Sequence, residues 1–141
     1  MQTVQKDQQI ICRLEVGDEI ITELKYLAAT IPDQFGAISG IGACDDVTVS
    51  IYSPSRDEYV ATRSQEQVEL LSLNGNVENA AGKIAVHLHS TFARLDTSVF
   101  GGHLERAVIS RTGELVIDLV PVVLGRTEDH QTKLQVLDIQ S

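Results

Sequence analysis

Three histidines between Lys83 and Leu104 are the residues of this sequence best suited to chemistry. His87 and His89 are separated by one residue inside an apolar segment, and His103 follows a Gly-Gly pair. Side chains two residues apart share one face of an extended strand, so the first two imidazoles are predicted to lie about 6–7 Å apart. The glycine pair gives the backbone the freedom to present the third imidazole at close range.

Three imidazoles with a fourth coordination position open are typical of a catalytic or ligand-binding metal site. Zinc is the expected metal, because imidazole suits it and its geometry is undemanding. The carboxylates of Glu69, Asp96 and Glu105 are candidates to orient the rings or to act as a catalytic base. Alternatively, the histidines are half-buried and hydrogen-bonded to neighbours, or face solvent, since spacing does not show that His103 folds back. His130 is predicted to be a solvated surface residue.

The elements that must position these histidines are predicted from hydrophobic periodicity. Ile10 to Val16 is predicted to be a strand, and residues 1–9 are polar and expected to be flexible. Asp18 is the expected N-cap of a helix that Pro32 ends, because apolar residues recur between them at helical spacing. This is the longest helix that the sequence predicts.

Glycine-rich segments at 40–43, 74–76 and 111–113 are predicted to be turns between further strands. The first of them lacks the third glycine and the following helix of a dinucleotide-binding fingerprint, so no phosphate site is expected there. Residues 134–139 are predicted to be a short terminal strand. Many strands, one long helix and a short second helix predict a compact α+β domain around a largely antiparallel sheet, spanning residues 10–141.

Composition excludes several classes of function. The chain has 141 residues, enough for one domain, and carries 11 basic against 20 acidic residues for a net charge of −9. Direct DNA binding is disfavoured, because nucleic-acid binders carry a basic footprint. No apolar run approaches the ~20 residues that span a bilayer, so a membrane partner is not expected. Without a signal-peptide pattern, Cys12 and Cys44 are expected to be reduced thiols in a cytoplasmic protein.

Five motifs together resemble the PPC domain, which is also called the PCC domain. They are Ser39-Gly40-Ile41-Gly42-Ala43, Asp46-Val47-Thr48, Glu69-Leu70-Leu71-Ser72-Leu73-Asn74-Gly75-Asn76, His87-Leu88-His89 and Gly101-Gly102-His103-Leu104. They occur in the order and approximate spacing of that family. The resemblance covers the chain from about the first strand to Ile139.

This resemblance implies an α+β subunit that assembles as a homotrimer, with a metal near the subunit boundaries. The residues that match the family's metal-associated histidines are His87, His89 and His103, and the implied metal is zinc. In plants the domain follows an AT-hook, a short basic segment that binds the DNA minor groove. No such segment occurs in these 141 residues, so the sequence resembles the stand-alone prokaryotic form.

Three functions stay open at this point. The first is a trimeric module that binds a small-molecule or protein ligand beside its metal. The second is a metal-dependent hydrolase or lyase that uses a metal-bound water, with Glu69, Asp96 or Glu105 as the base. The third is a DNA-associated regulator whose basic segment comes from a partner. Self-association is also predicted on separate grounds, because one helix cannot cover the apolar strands at 47–52 and 114–120.

Overall fold

Two long strands, β3 and β7, run antiparallel to each other and form the centre of the fold. A computed structural model describes residues 1–139 of the chain, so the last two residues of the predicted 10–141 domain lie outside the described part. In chain order the elements are β1 (Gln2–Lys6), β2 (Gln9–Leu14), α1 (Ile20–Ala28), β3 (Gln34–Ser53), β4 (Glu58–Ser64), β5 (Val68–Ala80), β6 (Lys83–Ala93), β7 (Val99–Val120), β8 (Arg126–Glu128) and β9 (Gln135–Leu137).

The long strands close the main sheet into a circuit. β3 pairs with β5, β5 with β6, β6 with β7, and β7 again with β3. β2 and β1 extend the sheet from β7, and β4 extends it from β3. Every one of these pairings is antiparallel, which confirms the predicted sheet. β8 and β9 form a separate hairpin, called here the C-terminal hairpin.

The core lies on the inward face of the circuit and under α1. β2 buries Ile10, Cys12 and Leu14 in strict alternation, the period of a strand with one face covered. α1 buries Ile20 and Leu24, one helical turn apart, against β5, β6 and β7. Full burial of a leucine or isoleucine side chain stabilises a fold by about 1.5–3 kcal/mol, so Ile20 and Leu24 hold the helix on the sheet.

The cap of α1 differs from the prediction. The Glu19 carboxylate, not that of Asp18, accepts hydrogen bonds from the backbone N–H groups of Ile21 and Thr22, at 3.2 and 2.8 Å. Asp18 lies one residue too early and accepts a hydrogen bond from the Glu15 N–H instead. A negative side chain at this end of the helix also suits the helix dipole.

Two further predictions about elements were wrong. α1, with nine residues, is the only helix in residues 1–139, so the predicted short second helix is not found there. Residues 1–9 were expected to be flexible, yet Gln2–Lys6 form β1 and pair with β2. All five β1 residues are exposed, so the strand has no apolar alternation by which the sequence could reveal it.

The three glycine-rich segments predicted to be turns lie inside long strands. Residues 40–43 belong to β3, 74–76 to β5 and 111–113 to β7. A Cβ atom at Gly42 would lie 2.6 Å from the Thr112 carbonyl oxygen, closer than real atoms approach. These glycines therefore mark close approach between neighbouring strands, and the β3–β5 register also shifts between Gly40 and Gly42.

We expect Gly75→Ala to lower the free energy of unfolding by about 2 kcal/mol, because overpacking typically costs 1–3 kcal/mol. An added Cβ at Gly75 would overlap the carbonyl oxygen of His87 on β6. Gly125→Ala is the matched control, since a Cβ there meets nothing within 4 Å, and its effect should stay within about 0.5 kcal/mol. Urea unfolding followed by circular dichroism measures both, and equal effects would contradict this account of the glycine.

Candidate functional site

The structure brings His87, His89 and His103 together. One ring nitrogen from each lies within 4.8 Å of the others. The ring centroids are 5.1–5.5 Å apart. His130, by contrast, is exposed in the turn of the C-terminal hairpin, outside this cluster.

Strand geometry explains how the cluster forms. On β6, Leu88 and Phe92 are 1% and 0% exposed and point into the core, so His87 and His89 share the opposite face. On β7, His103 lies directly opposite His89 in the β6–β7 register. Directly opposed residues of an antiparallel pair have Cβ atoms about 4.5–5.5 Å apart, which is within reach of a shared metal.

The glycine pair before His103 allows β7 to enter a narrow space. A Cβ at Gly101 would collide with the Ser90 carbonyl oxygen on β6, and one at Gly102 would lie 2.6 Å from the Ser50 carbonyl oxygen on β3. Side chains at either position would push β7 away from its neighbours. The pair is therefore required by the close approach that places His103 opposite His89.

The electrostatic surroundings favour the neutral form of two of the rings. Burial lowers the pKa of His87 below its usual value, and the charges of His103 and Arg126 lower it further. Burial also lowers the pKa of His103, while the negative charge of Glu105 acts in the opposite direction. Neutral imidazole is the form that ligates metals, so these two rings are prepared for coordination near neutral pH.

The histidines lie between two clefts. His87 and His103 line a cleft of about 800 Å³, called here the histidine cleft. Its remaining polar lining comes from Tyr59, Asn76, Glu105, Arg126 and Gln135, and its apolar lining comes from Ala85, Val86, Leu134, Val136, Leu137 and Ile139. His89 opens on the other side into a smaller cleft of about 220 Å³ with a mostly polar lining. A ligand could therefore reach the cluster from solvent.

Arg126 is a site residue that sequence reasoning missed. Its Nε donates to the carboxylate of Glu78, a side chain only 2% exposed. Its Nη2 donates to Asn76 Oδ1 and its Nη1 to the Gln135 carbonyl oxygen, both at 2.9 Å. Arg126 thus fastens the C-terminal hairpin to β5 at the edge of the histidine cleft. The residue lies in a segment without apolar periodicity, so nothing in the sequence linked it to the histidines.

Comparison with known proteins identifies the family. Residues 1–121 match the model of the Plants and Prokaryotes Conserved (PCC) domain. The chain belongs to the PCC domain family. No curated protein sequence matches it. The residues that match the PCC domain include all three clustered histidines and end before the C-terminal hairpin.

Solved structures show the same PCC fold. A Bacteroides thetaiotaomicron protein proposed to bind DNA has 27% identity and a TM-score of 0.90, with 97% of this chain and 96% of that chain covered. A metal-containing protein from Archaeoglobus fulgidus has 28% identity and a TM-score of 0.82, with 94% of each chain covered. A plant- and prokaryote-conserved protein from Pyrococcus horikoshii has 22% identity and a TM-score of 0.82, covering 99% of this chain and 95% of that chain.

Of the three carboxylates predicted near the histidines, this PCC domain brings only Glu105 to the histidine cleft. Ser50 Oγ donates to Glu105 Oε1 at 2.7 Å, which orients that carboxylate. Asp96 lies in the β6–β7 turn and accepts a hydrogen bond from the Ser98 N–H. Glu69 pairs with Ala93 at the far end of β6 and lines a different cleft. Nearness in sequence located Glu105, two residues after His103 on β7. It failed for Asp96, because the turn between β6 and β7 carries that residue away from the histidines.

The cysteines offer this PCC domain no nucleophile. Cys12 and Cys44 are both buried and free. Burial raises the pKa of the Cys12 thiol to about 11 and that of Cys44 to about 12, so both stay protonated.

No helix in the part of the chain that the structure describes is long and apolar enough to span a bilayer.

Proposed function

We propose that this PCC domain is a metal-binding module in which His87, His89 and His103 hold a divalent metal, zinc being the expected one. The observation that carries the proposal is the convergence of three ring nitrogens within 4.8 Å beside an open cleft. Zinc–nitrogen bonds of about 2.0–2.1 Å place tetrahedral ligand nitrogens roughly 3.3 Å apart. A small inward movement of the three imidazole rings would bring their nitrogens to that separation. The metal-containing relative from Archaeoglobus fulgidus supports the proposal.

The metal would serve ligand binding. With three protein ligands it supplies a Lewis-acidic position that takes an oxygen or nitrogen donor from the histidine cleft. The comparisons do not support the hydrolase alternative, and two of the three proposed catalytic bases, Glu69 and Asp96, do not line that cleft. A DNA-associated role is supported by relatives that are named for DNA binding, the Bacteroides protein among them, and the net charge of −9 opposes direct DNA binding.

The module is proposed to act as a homotrimer in the cytoplasm. Ile11, Ile41 and Leu71 are 53%, 56% and 49% exposed and share one groove on the outer surface of the sheet. Contiguous exposed apolar residues of this kind are typical of protein interfaces. The family resemblance supports the trimer, and the two free thiols support the cytoplasmic location.

The test is the metal content of untagged protein that has been purified without added metal, measured by inductively coupled plasma mass spectrometry. We expect about one zinc per subunit, a ratio set by one three-imidazole site with one position open. The His87/His89/His103→Ala triple variant should contain none. Light scattering on the same samples should give the mass of three subunits. Metal retained by the triple variant, or a monomeric parent protein without metal, would contradict the proposal.

A further inference from the structure

The histidine cleft has a polar end and an apolar wall, and each suits a different part of one ligand. The histidines lie at the polar end, and the wall is formed largely by the C-terminal hairpin. We infer that the cleft binds a small monocarboxylate with an apolar body, its carboxylate on the metal and its body against the hairpin. This inference rests on the metal site proposed above and names the class of ligand that the site takes.

The charges around the cleft favour a single negative charge on the ligand. A divalent metal brings two positive charges, and neutral imidazoles add none. Arg126 is balanced by the buried carboxylate of Glu78, and Glu105 contributes one negative charge at the cleft. One positive charge is left in excess, which a carboxylate neutralises. A phosphate dianion would overcompensate it and bring strongly hydrated oxygens against apolar side chains, which is costly.

The metal, not Arg126, is the partner of the carboxylate. Nε, Nη1 and Nη2 of Arg126 already donate to Glu78, Gln135 and Asn76. The guanidinium has two further N–H groups, but its charge is already balanced by the buried carboxylate of Glu78. The metal would bring an unbalanced positive charge and an open coordination position, so the carboxylate gains most by binding there.

The apolar wall has side chains that a ligand would cover. Leu134, Val136 and Ile139 are 43%, 38% and 73% exposed, although each lines the histidine cleft. Each methylene group that a ligand buries against such a surface strengthens binding by about fourfold. These three residues lie outside the 1–121 segment that matches the family model.

The test is isothermal titration calorimetry of the zinc-loaded full chain with hexanoate and three comparison probes. Acetate has the carboxylate without the apolar body, hexan-1-ol has the body without the charge, and hexylammonium has the opposite charge. We expect hexanoate to bind at least about tenfold more tightly than acetate. Hexanoate has four more methylene groups, and burial of about two of them is enough for that difference. Hexan-1-ol and hexylammonium should bind more weakly than hexanoate by at least the same factor.

Two variants test the apolar wall separately from the metal. Leu134→Asn should weaken hexanoate binding by about fivefold, since it removes about one to two methylene equivalents of apolar contact. Acetate binding and zinc content should not change. Val123→Asn is the matched control, because Val123 is 57% exposed and does not line the histidine cleft. Its hexanoate affinity should equal that of the parent protein.

Each other outcome has a definite meaning. Zinc-loaded protein that binds hexanoate no more tightly than acetate would overturn the inference and leave the metal site standing. Equal binding of hexanoate by the His87/His89/His103→Ala variant would also overturn it, because the carboxylate would then not need the metal. Protein that takes up no zinc would overturn both this inference and the proposed function.

Discussion

His103→Ala should weaken zinc binding by at least about 100-fold, because it removes one of only three protein ligands and leaves two imidazoles on β6. Loss of a residue that merely orients a ligand already costs about 10–100-fold. His103 also comes from a different strand than the other two, so its removal leaves no protein ligand from β7. Competition against a chromophoric zinc chelator at neutral pH measures the affinity.

His130→Ala is the matched control for that substitution. His130 is exposed in the turn of the C-terminal hairpin, so its removal changes the histidine count without touching the cluster. We expect unchanged zinc affinity in this variant and native circular dichroism in both. Comparable losses in the two variants would show that zinc binds by adventitious surface histidines and would contradict the three-histidine site.

Arg126→Met should lower the free energy of unfolding by about 3 kcal/mol, the low end of the range for breaking a buried ion pair. The substitution leaves the Glu78 carboxylate, 2% exposed, without its guanidinium. Unpairing a buried charge is costly because desolvation is no longer offset. The loss stays at the low end because the C-terminal hairpin can loosen and admit water. Urea unfolding measures the effect.

Arg111→Met is the control for this loss of stability, because Arg111 is exposed on β7 and its substitution should change stability by no more than about 0.5 kcal/mol. The double variant Arg126→Met/Glu78→Met should recover most of the stability, since a well-packed apolar pair often replaces a buried ion pair without loss. If Arg126→Met has the same free energy of unfolding as the parent protein, then loss of the guanidinium does not leave a buried, unpaired Glu78 carboxylate. That result would contradict the role of Arg126 as the anchor of the hairpin.

The parts of this molecule that sequence could predict are those set by local periodicity. The alternation on β6 placed His87 and His89 on one face because strand geometry repeats every two residues. Whether His103 joins them depends on the β6–β7 register. That register arises from pairing between strands, so it cannot be predicted from the spacing of residues along the chain.

The glycines show the same limit of prediction from local sequence. At Gly75 the sequence predicted a turn, whereas the structure has the middle of β5 pressed against the His87 carbonyl oxygen. Glycine is favoured by both situations, and only the neighbouring strand distinguishes them. The contact between Arg126 and Glu78 is likewise invisible, because it joins residues 48 positions apart.

Closure of the sheet between β3 and β7 has a consequence for how the chain folds. The pairing joins residues as distant as Phe35 and Val120, so the contact order of the central seam is high. Closing so long a loop loses chain entropy before the seam gains its hydrogen bonds. The β3–β4 and β5–β6 hairpins form from nearby residues and can precede it. On the ribosome, β3 must therefore wait with an unpaired edge until β7 has emerged.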